Sequence, residues 1–215
     1  MALEYRVLEP RKQTNNPPAL VMLHGYGADM YDLYSFATML PPELLIISIQ
    51  APRRLPWGGY AWYDIEMSAD GIKTSNAEQG KEAVGLVFEF LDEMKEQFDF
   101  DANRLFLLGF SQGCILSLAC LYTQPERFKG IIALSGYLNA DFLNEKPENI
   151  NVSGAVFHSH GTEDPVIPVS AAEMTRDILE KTDLDYTFKT YPAGHGINQQ
   201  NLQDLIAWLN QRLDA

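Results

Sequence analysis

Gly109-Phe110-Ser111-Gln112-Gly113 is the stretch that decides the fold, because it joins two segments with different hydrophobic patterns. The run that ends at Leu108 is apolar like a buried strand, and the residues that follow are typical of a helix. A serine on a tight strand-to-helix turn has a strained backbone and carries its hydroxyl into open space. Gly109 and Gly113 have no Cβ, so strand and helix can approach each other closely around Ser111. The pattern predicts a nucleophile elbow at Ser111.

Working outward from the elbow, apolar runs of strand length alternate with segments of helical period. The predicted strands are Leu3–Leu8, Ala19–Leu23, Leu44–Gln50, Arg104–Gly109, Gly130–Leu134, Gly154–Ser159 and Tyr186–Tyr191. Several are continuously apolar, which is typical of strands that are covered on both faces. In Asn76–Phe98, and again from Leu202 to Leu213, apolar residues recur every three or four positions, as in helices that pack one face on a sheet.

This alternation predicts an α/β fold, with a doubly wound, mostly parallel sheet and helices on both faces. The first strand is predicted to be an antiparallel edge, because only the short connection Pro10–Pro18 leads out of it. No long linker interrupts the chain, so residues 1–215 are expected to form a single domain. Two stretches, Ala51–Ser75 and Leu138–Val152, have no hydrophobic period, and neither is long enough for a separate cap domain. We therefore expect an open site, with an aromatic wall from the first stretch.

Charge and composition exclude several classes of function. The formal net charge of −13 argues against nucleic-acid binding, which needs a basic face, and against tight docking on anionic membranes. No apolar stretch is long enough to span a bilayer, and Met1–Arg6 does not resemble a secretory signal. Cys114 and Cys120 fall on different faces of the helix predicted after the elbow, so we expect both to stay unpaired. Unpaired thiols are typical of the reducing cytoplasm, where we expect the protein to be located.

A reactive serine needs a base, and the base needs a carboxylate to orient it. When a nucleophile elbow is present, the chain order is serine, then acid, then histidine. Asp164 follows the predicted strand Gly154–Ser159, and His195 follows the predicted strand Tyr186–Tyr191. Both therefore lie at carboxyl ends of strands, where open α/β sheets bind their ligands.

The chain has only four histidines, and three of them fit the role of base poorly. His24 belongs to a different loop, and His158 lies within a strand. His160 is expected to be too close in sequence to Asp164 to face it across the site. By elimination, His195 is the predicted base. His158 and His160 have the spacing of metal ligands on one strand face, but no third ligand is evident nearby, so we predict no metal site.

Two alternatives remain open for the acid. Glu163 is a rival to Asp164, which we prefer because Pro165 fixes a turn beside it. Asp164 could also serve as a capping carboxylate for a helix predicted over Val169–Leu179.

The developing oxyanion of an acyl-transfer reaction needs two backbone donors. One is predicted to be the N–H of Gln112, directly after the nucleophile. The other is predicted to be the N–H of Tyr26, because the glycines of His24-Gly25-Tyr26-Gly27 allow the backbone to approach a substrate.

With these residues in place, the chain resembles the phospholipase/carboxylesterase family, which includes acyl-protein thioesterases and consists of small α/β-hydrolases. The resemblance runs in order from about Leu20 to the C-terminus. Its matching segments are His24-Gly25-Tyr26-Gly27-Ala28-Asp29, Ala51-Pro52, Trp62-Tyr63-Asp64, Gly109–Gly113, His160–Pro168 and Gly194-His195. It implies an α/β-hydrolase fold without a cap domain, a Ser111–His195–Asp164 triad and an oxyanion hole at Tyr26 and Gln112. Trp62-Tyr63-Asp64 is similar to the family's element beside the acyl site, and we assign Trp62, Tyr63 and Val166 to substrate binding.

The resemblance implies cleavage of carboxylic esters, and in some members of lysophospholipids or protein-bound palmitoyl thioesters. Ala28 between Gly27 and Asp29, and Tyr26 where leucine is common, make this chain more similar to bacterial esterases than to the eukaryotic thioesterases. We therefore expect a serine carboxylesterase for short- to medium-chain esters, with a long-chain thioesterase or lysophospholipase as the alternative. A non-catalytic binding protein of the same fold is a remote alternative. The expected partner is a small-molecule or lipid ester, no cofactor is expected, and no feature indicates an oligomeric state.

Overall fold

A seven-stranded sheet forms the centre of the fold in the computed structural model, which describes residues 3–67 and 73–213. The strands are β1 (Tyr5–Leu8), β2 (Ala19–Leu23), β3 (Leu45–Ile49), β4 (Leu105–Phe110), β5 (Gly130–Leu134), β6 (Ala155–Gly161) and β7 (Asp185–Tyr191). Their order across the sheet is β1-β3-β2-β4-β5-β6-β7. Neighbouring strands pair in parallel except at one edge, where β1 runs antiparallel to β3, as predicted.

Helices cover both faces of this sheet, which confirms the predicted doubly wound α/β architecture. The α-helices are α1 (Ala77–Gln97), α2 (Gln112–Thr123), α3 (Val169–Leu179) and α4 (Gln199–Leu213). Successive strand residues point to opposite faces of the sheet. In β2, the side chain of Val21 packs in the core beneath α1 and α2, and that of Met22 packs in the core beneath α4. In the described ranges, none of the helices combines the length and the apolar character required to cross a bilayer.

Helices α1 and α2 differ in how much of their surface is buried. The side chain of Asn76 caps α1 by accepting a hydrogen bond from the Gln79 N–H, and only one side of α1 is buried. In α2, every residue from Gln112 to Tyr122 is buried, because this helix lies between the sheet and α1. The apolar sequence after the elbow reflects this position between two layers.

The two stretches without hydrophobic period contain short elements rather than continuous coil. In the first, Arg53–Arg54 pairs antiparallel with Tyr60–Ala61, and Ile65–Met67 pairs antiparallel with Lys73–Ser75. Strands of two or three residues are too short to produce a readable alternation, so sequence patterns missed them. Residues 68–72 of this stretch lie outside the described part. The second stretch contains two 3₁₀ helices, Ala140–Phe142 and Pro147–Asn149.

The chain is tightly crowded where β4 turns into α2. A Cβ at Gly109 would lie 2.1 Å from the carbonyl oxygen of Gly113, and one at Gly113 would lie 2.0 Å from the carbonyl oxygen of Leu23. Both distances are far below van der Waals contact, and both neighbours are backbone atoms that cannot move aside. The predicted requirement for glycine on both sides of Ser111 is therefore confirmed sterically.

Gly113→Ala is expected to lower the free energy of unfolding by about 1–3 kcal/mol or more, because the new methyl group overpacks the contact with β2. Gly85→Ala is the matched control, since a Cβ on this exposed face of α1 meets no atom within 4 Å. Alanine there should raise the free energy of unfolding by about 0.5–1 kcal/mol, as in a helix interior. Urea unfolding of both variants measures the difference, and a Gly113→Ala protein as stable as the wild type would contradict the close approach.

Candidate active site

Ser111 occupies a strained turn at the carboxyl end of β4. Its backbone lies at φ 54° and ψ −114°, a conformation that residues other than glycine rarely adopt. The Ser111 N–H donates a hydrogen bond of 2.8 Å to the carbonyl oxygen of Leu134 at the end of β5. This bond holds the turn against the neighbouring strand, with the serine side chain directed away from the sheet toward His195.

His195 connects Ser111 to Asp164 through two hydrogen bonds. His195 Nε2 lies 2.8 Å from Ser111 Oγ, and His195 Nδ1 lies 2.6 Å from Asp164 Oδ2. A carboxylate only accepts, so Nδ1 carries the proton and Nε2 is free to accept the serine proton. The imidazole is therefore held in the tautomer that a general base for Ser111 requires.

Asp164 is buried and ionised. Burial alone would raise its pKa, but hydrogen bonds from His195 and from the backbone N–H groups of Ile167 and Val166 outweigh burial and hold the pKa below its ordinary value. Glu163, the rival acid, is exposed, and the hydrogen bond to His195 Nδ1 is made by Asp164. The capping alternative for Asp164 also does not hold, because α3 begins after Pro168.

Backbone hydrogen bonds join the loop after β6, which carries Asp164, to the loop after β7, which carries His195. Glu163 N–H donates to the carbonyl oxygen of Ala193 at 3.0 Å, and Thr162 N–H donates to that of Tyr191 at 2.8 Å. A Cβ at Gly161 would lie 2.2 Å from the carbonyl oxygen of Gly194, so the two loops are in direct backbone contact. Because the ends of β6 and β7 lie side by side, the short loops that follow them are enough to bring Asp164 and His195 into contact.

His160 contacts Asp164, contrary to the expectation that the two residues are too close in sequence to face each other. His160 Nε2 lies 3.2 Å from Asp164 Oδ2 and 2.8 Å from the carbonyl oxygen of Ile167. The turn after β6 brings the carboxylate back over the strand end, where both side chains are fully buried. The contact with Ser111 still belongs to His195.

Two backbone N–H groups near Ser111 lack local partners. Gln112 is the first residue of α2, so its N–H has no acceptor inside the helix. The Tyr26 N–H has no hydrogen-bond acceptor in the described ranges. Its loop borders the nucleophile, since a Cβ at Gly25 would lie 3.3 Å from Ser111 Cβ. These are the two donors that the sequence singled out, and their role at an oxyanion stays a prediction.

Gln112 also has a role that sequence analysis missed, because its buried side chain fastens the segment at Trp62. Gln112 Oε1 accepts a hydrogen bond from the Trp62 N–H at 2.8 Å, and Gln112 Nε2 donates to the Tyr63 carbonyl oxygen at 2.7 Å. The Trp62 and Tyr63 side chains are 0% and 1% exposed, whereas Val166 is 54% exposed. Substrate binding by these three residues stays a prediction, and of the three only Val166 presents a large surface. Trp57, at 73% exposed, is the aromatic residue of this stretch that faces solvent.

His158 is a core histidine with its own hydrogen-bond partners. Its Nε2 lies 3.2 Å from the carbonyl oxygen of Gly136, so Nε2–H donates and Nδ1 accepts from the Tyr186 hydroxyl at 2.8 Å. Burial lowers the pKa of His158 from 6.5 to about 4. Across the part of the chain that the structure describes, no three His, Cys, Asp or Glu side chains form a group that could hold a metal ion.

Comparison with known proteins gives a consistent match over nearly the whole chain. The sequence model of the phospholipase/carboxylesterase family matches residues 4–213. Acyl-protein thioesterase 1 of Kluyveromyces lactis is 32% identical over 158 residues, which cover 71% of this chain and 69% of the relative. The crystal structure of esterase PE8 superposes with a TM-score of 0.84 at 26% identity, covering 98% of this chain and 99% of the other. A Bacillus cereus carboxylesterase shares the fold with a TM-score of 0.83 at 21% identity, covering 98% of this chain and 94% of its own.

The lowered pKa of His158 predicts a loss of stability in mild acid. In the unfolded chain, His158 takes up a proton at about pH 6.5, whereas in the folded chain it does so only near pH 4. Between these values the unfolded state binds more protons, so the free energy of unfolding falls by about 1 kcal/mol for each pH unit of acidification. Urea unfolding from pH 7.5 down to pH 5 measures this slope. His158→Gln should flatten it, and equal slopes in the two proteins would contradict the assignment.

Proposed function

Because this chain belongs to the phospholipase/carboxylesterase family, we propose that it is a serine hydrolase that cleaves carboxylic esters through an acyl-enzyme on Ser111. The observation that carries the proposal is the pair of hydrogen bonds that His195 makes to Ser111 Oγ and to Asp164 Oδ2, at 2.8 and 2.6 Å. Nucleophilic acyl transfer requires a serine that is hydrogen-bonded to an imidazole in the correct tautomer, with an ionised carboxylate on the other side of the imidazole.

In the proposed first half-reaction, Ser111 Oγ attacks the ester carbonyl carbon while His195 Nε2 takes the serine proton. Asp164 stabilises the imidazolium, and its lowered pKa keeps the carboxylate charged. The carbonyl oxygen becomes an oxyanion that accepts hydrogen bonds from the N–H groups of Gln112 and Tyr26. When the tetrahedral intermediate collapses, the bond to the leaving alcohol breaks and His195 returns the proton to that alcohol.

In the second half-reaction, water replaces the alcohol. His195 Nε2 takes a proton from the water, whose oxygen attacks the acyl carbon bound to Ser111 Oγ. The ester bond to the serine breaks, the acid product leaves and the proton returns to Ser111 Oγ. Every step uses side chains and backbone groups of this chain.

The acyl group is proposed to be short or medium in length. The similarity to esterase PE8, together with Ala28 and Tyr26 in the oxyanion loop, favours a general esterase. The similarity to acyl-protein thioesterase 1 of Kluyveromyces lactis favours the second candidate, a hydrolase of long-chain thioesters or lysophospholipids. Cys114 and Cys120, buried and unpaired, are compatible with the cytoplasm as the proposed location.

Hydrolysis of p-nitrophenyl esters from acetate to palmitate separates the two candidates. We expect the largest kcat/KM at acetate to hexanoate, and a maximum at decanoate or longer would favour the long-chain candidate instead. Ser111→Ala should remove nearly all turnover and all labelling by a fluorophosphonate probe. An unlabelled, inactive wild-type protein would overturn the proposed function.

Asp164→Asn is expected to lower kcat by about 10³–10⁴-fold, because a neutral amide neither stabilises the imidazolium nor fixes the required tautomer. Glu163→Gln is the matched control, since this neighbouring carboxylate is exposed and the hydrogen bond to His195 Nδ1 is made by Asp164. Its kcat should equal that of the wild type. A large loss in Glu163→Gln with a small loss in Asp164→Asn would reverse the assignment of the acid.

A further inference from the structure

His24, which the proposed reaction does not use, lies at the start of the oxyanion loop. It follows β2 directly and is fully buried. We propose that His24 is a positioning residue that fixes the peptide carrying the Tyr26 N–H, and so sets the geometry of the oxyanion hole. This inference rests on the proposed function and adds a residue to that same site.

The protonation state of His24 follows from its neighbours. His24 Nε2 lies 3.0 Å from the backbone nitrogen of Ala51 and 3.2 Å from Gln50 Nε2. The Ala51 N–H can only donate, so Nε2 carries no proton and accepts. The proton of the neutral ring is therefore on Nδ1, which donates a hydrogen bond of 2.7 Å to the Gly25 carbonyl oxygen. Burial lowers the pKa of His24 and keeps the ring in this neutral form.

The hydrogen bond to Gly25 acts on Tyr26 through the planar peptide unit that the two residues share. In a trans peptide, the carbonyl oxygen of Gly25 and the N–H of Tyr26 point in opposite directions. By holding the carbonyl oxygen, His24 directs the N–H away from itself and leaves it free for a substrate. Ala28 N–H supports the same carbonyl oxygen at 3.3 Å. Since Gly25 borders Ser111, the N–H turned outward serves an oxyanion formed at the nucleophile.

The backbone of His24 also connects the two proposed oxyanion donors. Trp62 Nε1–H donates to the His24 carbonyl oxygen at 3.0 Å, and the Trp62 N–H donates to Gln112 Oε1 at 2.8 Å. The loop with the Tyr26 N–H and the helix start with the Gln112 N–H are thus held by one buried hydrogen-bonded chain. Trp62 and Gln112 keep the two sides together, and His24 sets the rotation of the peptide.

A thionoester, in which sulfur replaces the carbonyl oxygen, tests the oxyanion hole itself. Sulfur is larger and a weaker acceptor, so an intact hole favours the ester over its thiono analogue. The measured quantity is the ratio of kcat/KM for an ester to that for its thionoester. His24→Leu removes the ring nitrogens and should lower kcat for the ester by about 10²-fold, with KM nearly unchanged, as for loss of one donor. The kcat/KM for the thionoester should fall less than that for the ester, so the ratio should fall at least tenfold.

Two amide variants separate the hydrogen bond from general packing. In His24→Asn the amide nitrogen occupies the place of Nδ1 and can still donate to the Gly25 carbonyl oxygen, so the ratio should remain near the wild-type value. In His24→Gln the amide reaches the place of Nε2 instead, and the ratio should fall. Equal ratios in the asparagine and glutamine variants would overturn the proposal. This comparison does not need the leucine variant, so it remains decisive if His24→Leu fails to fold.

His158→Leu is the matched control for loss of a buried histidine outside the oxyanion loop, and its ratio should match the wild type. A ratio that falls equally in His158→Leu and His24→Leu would overturn the proposal, because the effect would then be general. Failure of the proposed function is a different result, in which the wild-type protein hydrolyses neither the ester nor the thionoester. An active wild type whose ratio does not change in any His24 variant overturns only the role of His24.

Discussion

The site depends on one strained turn, in which Ser111 joins β4 to α2 with a positive φ of 54°. Such a conformation costs on the order of 1–3 kcal/mol, so the surrounding structure must hold it in place. Backbone contacts do this, because Ser111 N–H is bonded to Leu134 while Gly113 lets α2 pack against the end of β2. The same turn presents the serine hydroxyl and leaves the first N–H of α2 without an acceptor inside the helix. The proposed nucleophile and one proposed oxyanion donor therefore come from a single backbone geometry.

Sequence patterns predicted the sheet well, because buried parallel strands are continuous apolar runs bounded by turn residues. They favoured Asp164 over Glu163 only through the neighbouring Pro165, since the folded loop decides the direction of each of two adjacent carboxylates. They also missed the burial of Trp62, an aromatic residue in an aperiodic loop. The Trp62 backbone is bonded to Gln112, 50 positions further along the chain, and no local pattern records a partner at that distance.

The four histidines of this chain divide into one ring beside the Ser111 hydroxyl and three rings buried in the fold. His24, His158 and His160 are fully buried, and each makes hydrogen bonds that fix which nitrogen carries the proton. His195 keeps 16% of its side-chain surface exposed, with Nε2 next to a serine hydroxyl rather than a carbonyl oxygen. The unprotonated nitrogen of His158 also faces a hydroxyl, but that hydroxyl belongs to Tyr186 and not to the serine of the elbow. Three of the rings are therefore held inside the fold by burial and hydrogen bonds, and the fourth lies at the candidate site.

The close contact between the loop that carries Asp164 and the loop that carries His195 has a consequence for how proteins of this architecture can diversify. A Cβ at Gly161 would clash with the Gly194 backbone, so an insertion on that side would separate Asp164 from His195. The hairpin tip at Trp57 and Gly58 projects into solvent, and a Cβ at Gly58 would meet no neighbouring atom. Evolution or an engineer can therefore lengthen or exchange this tip while the hydrogen bond between Asp164 and His195 stays intact. Changes in loop length are sterically open at the hairpin tip and opposed by direct backbone contact beside Gly161.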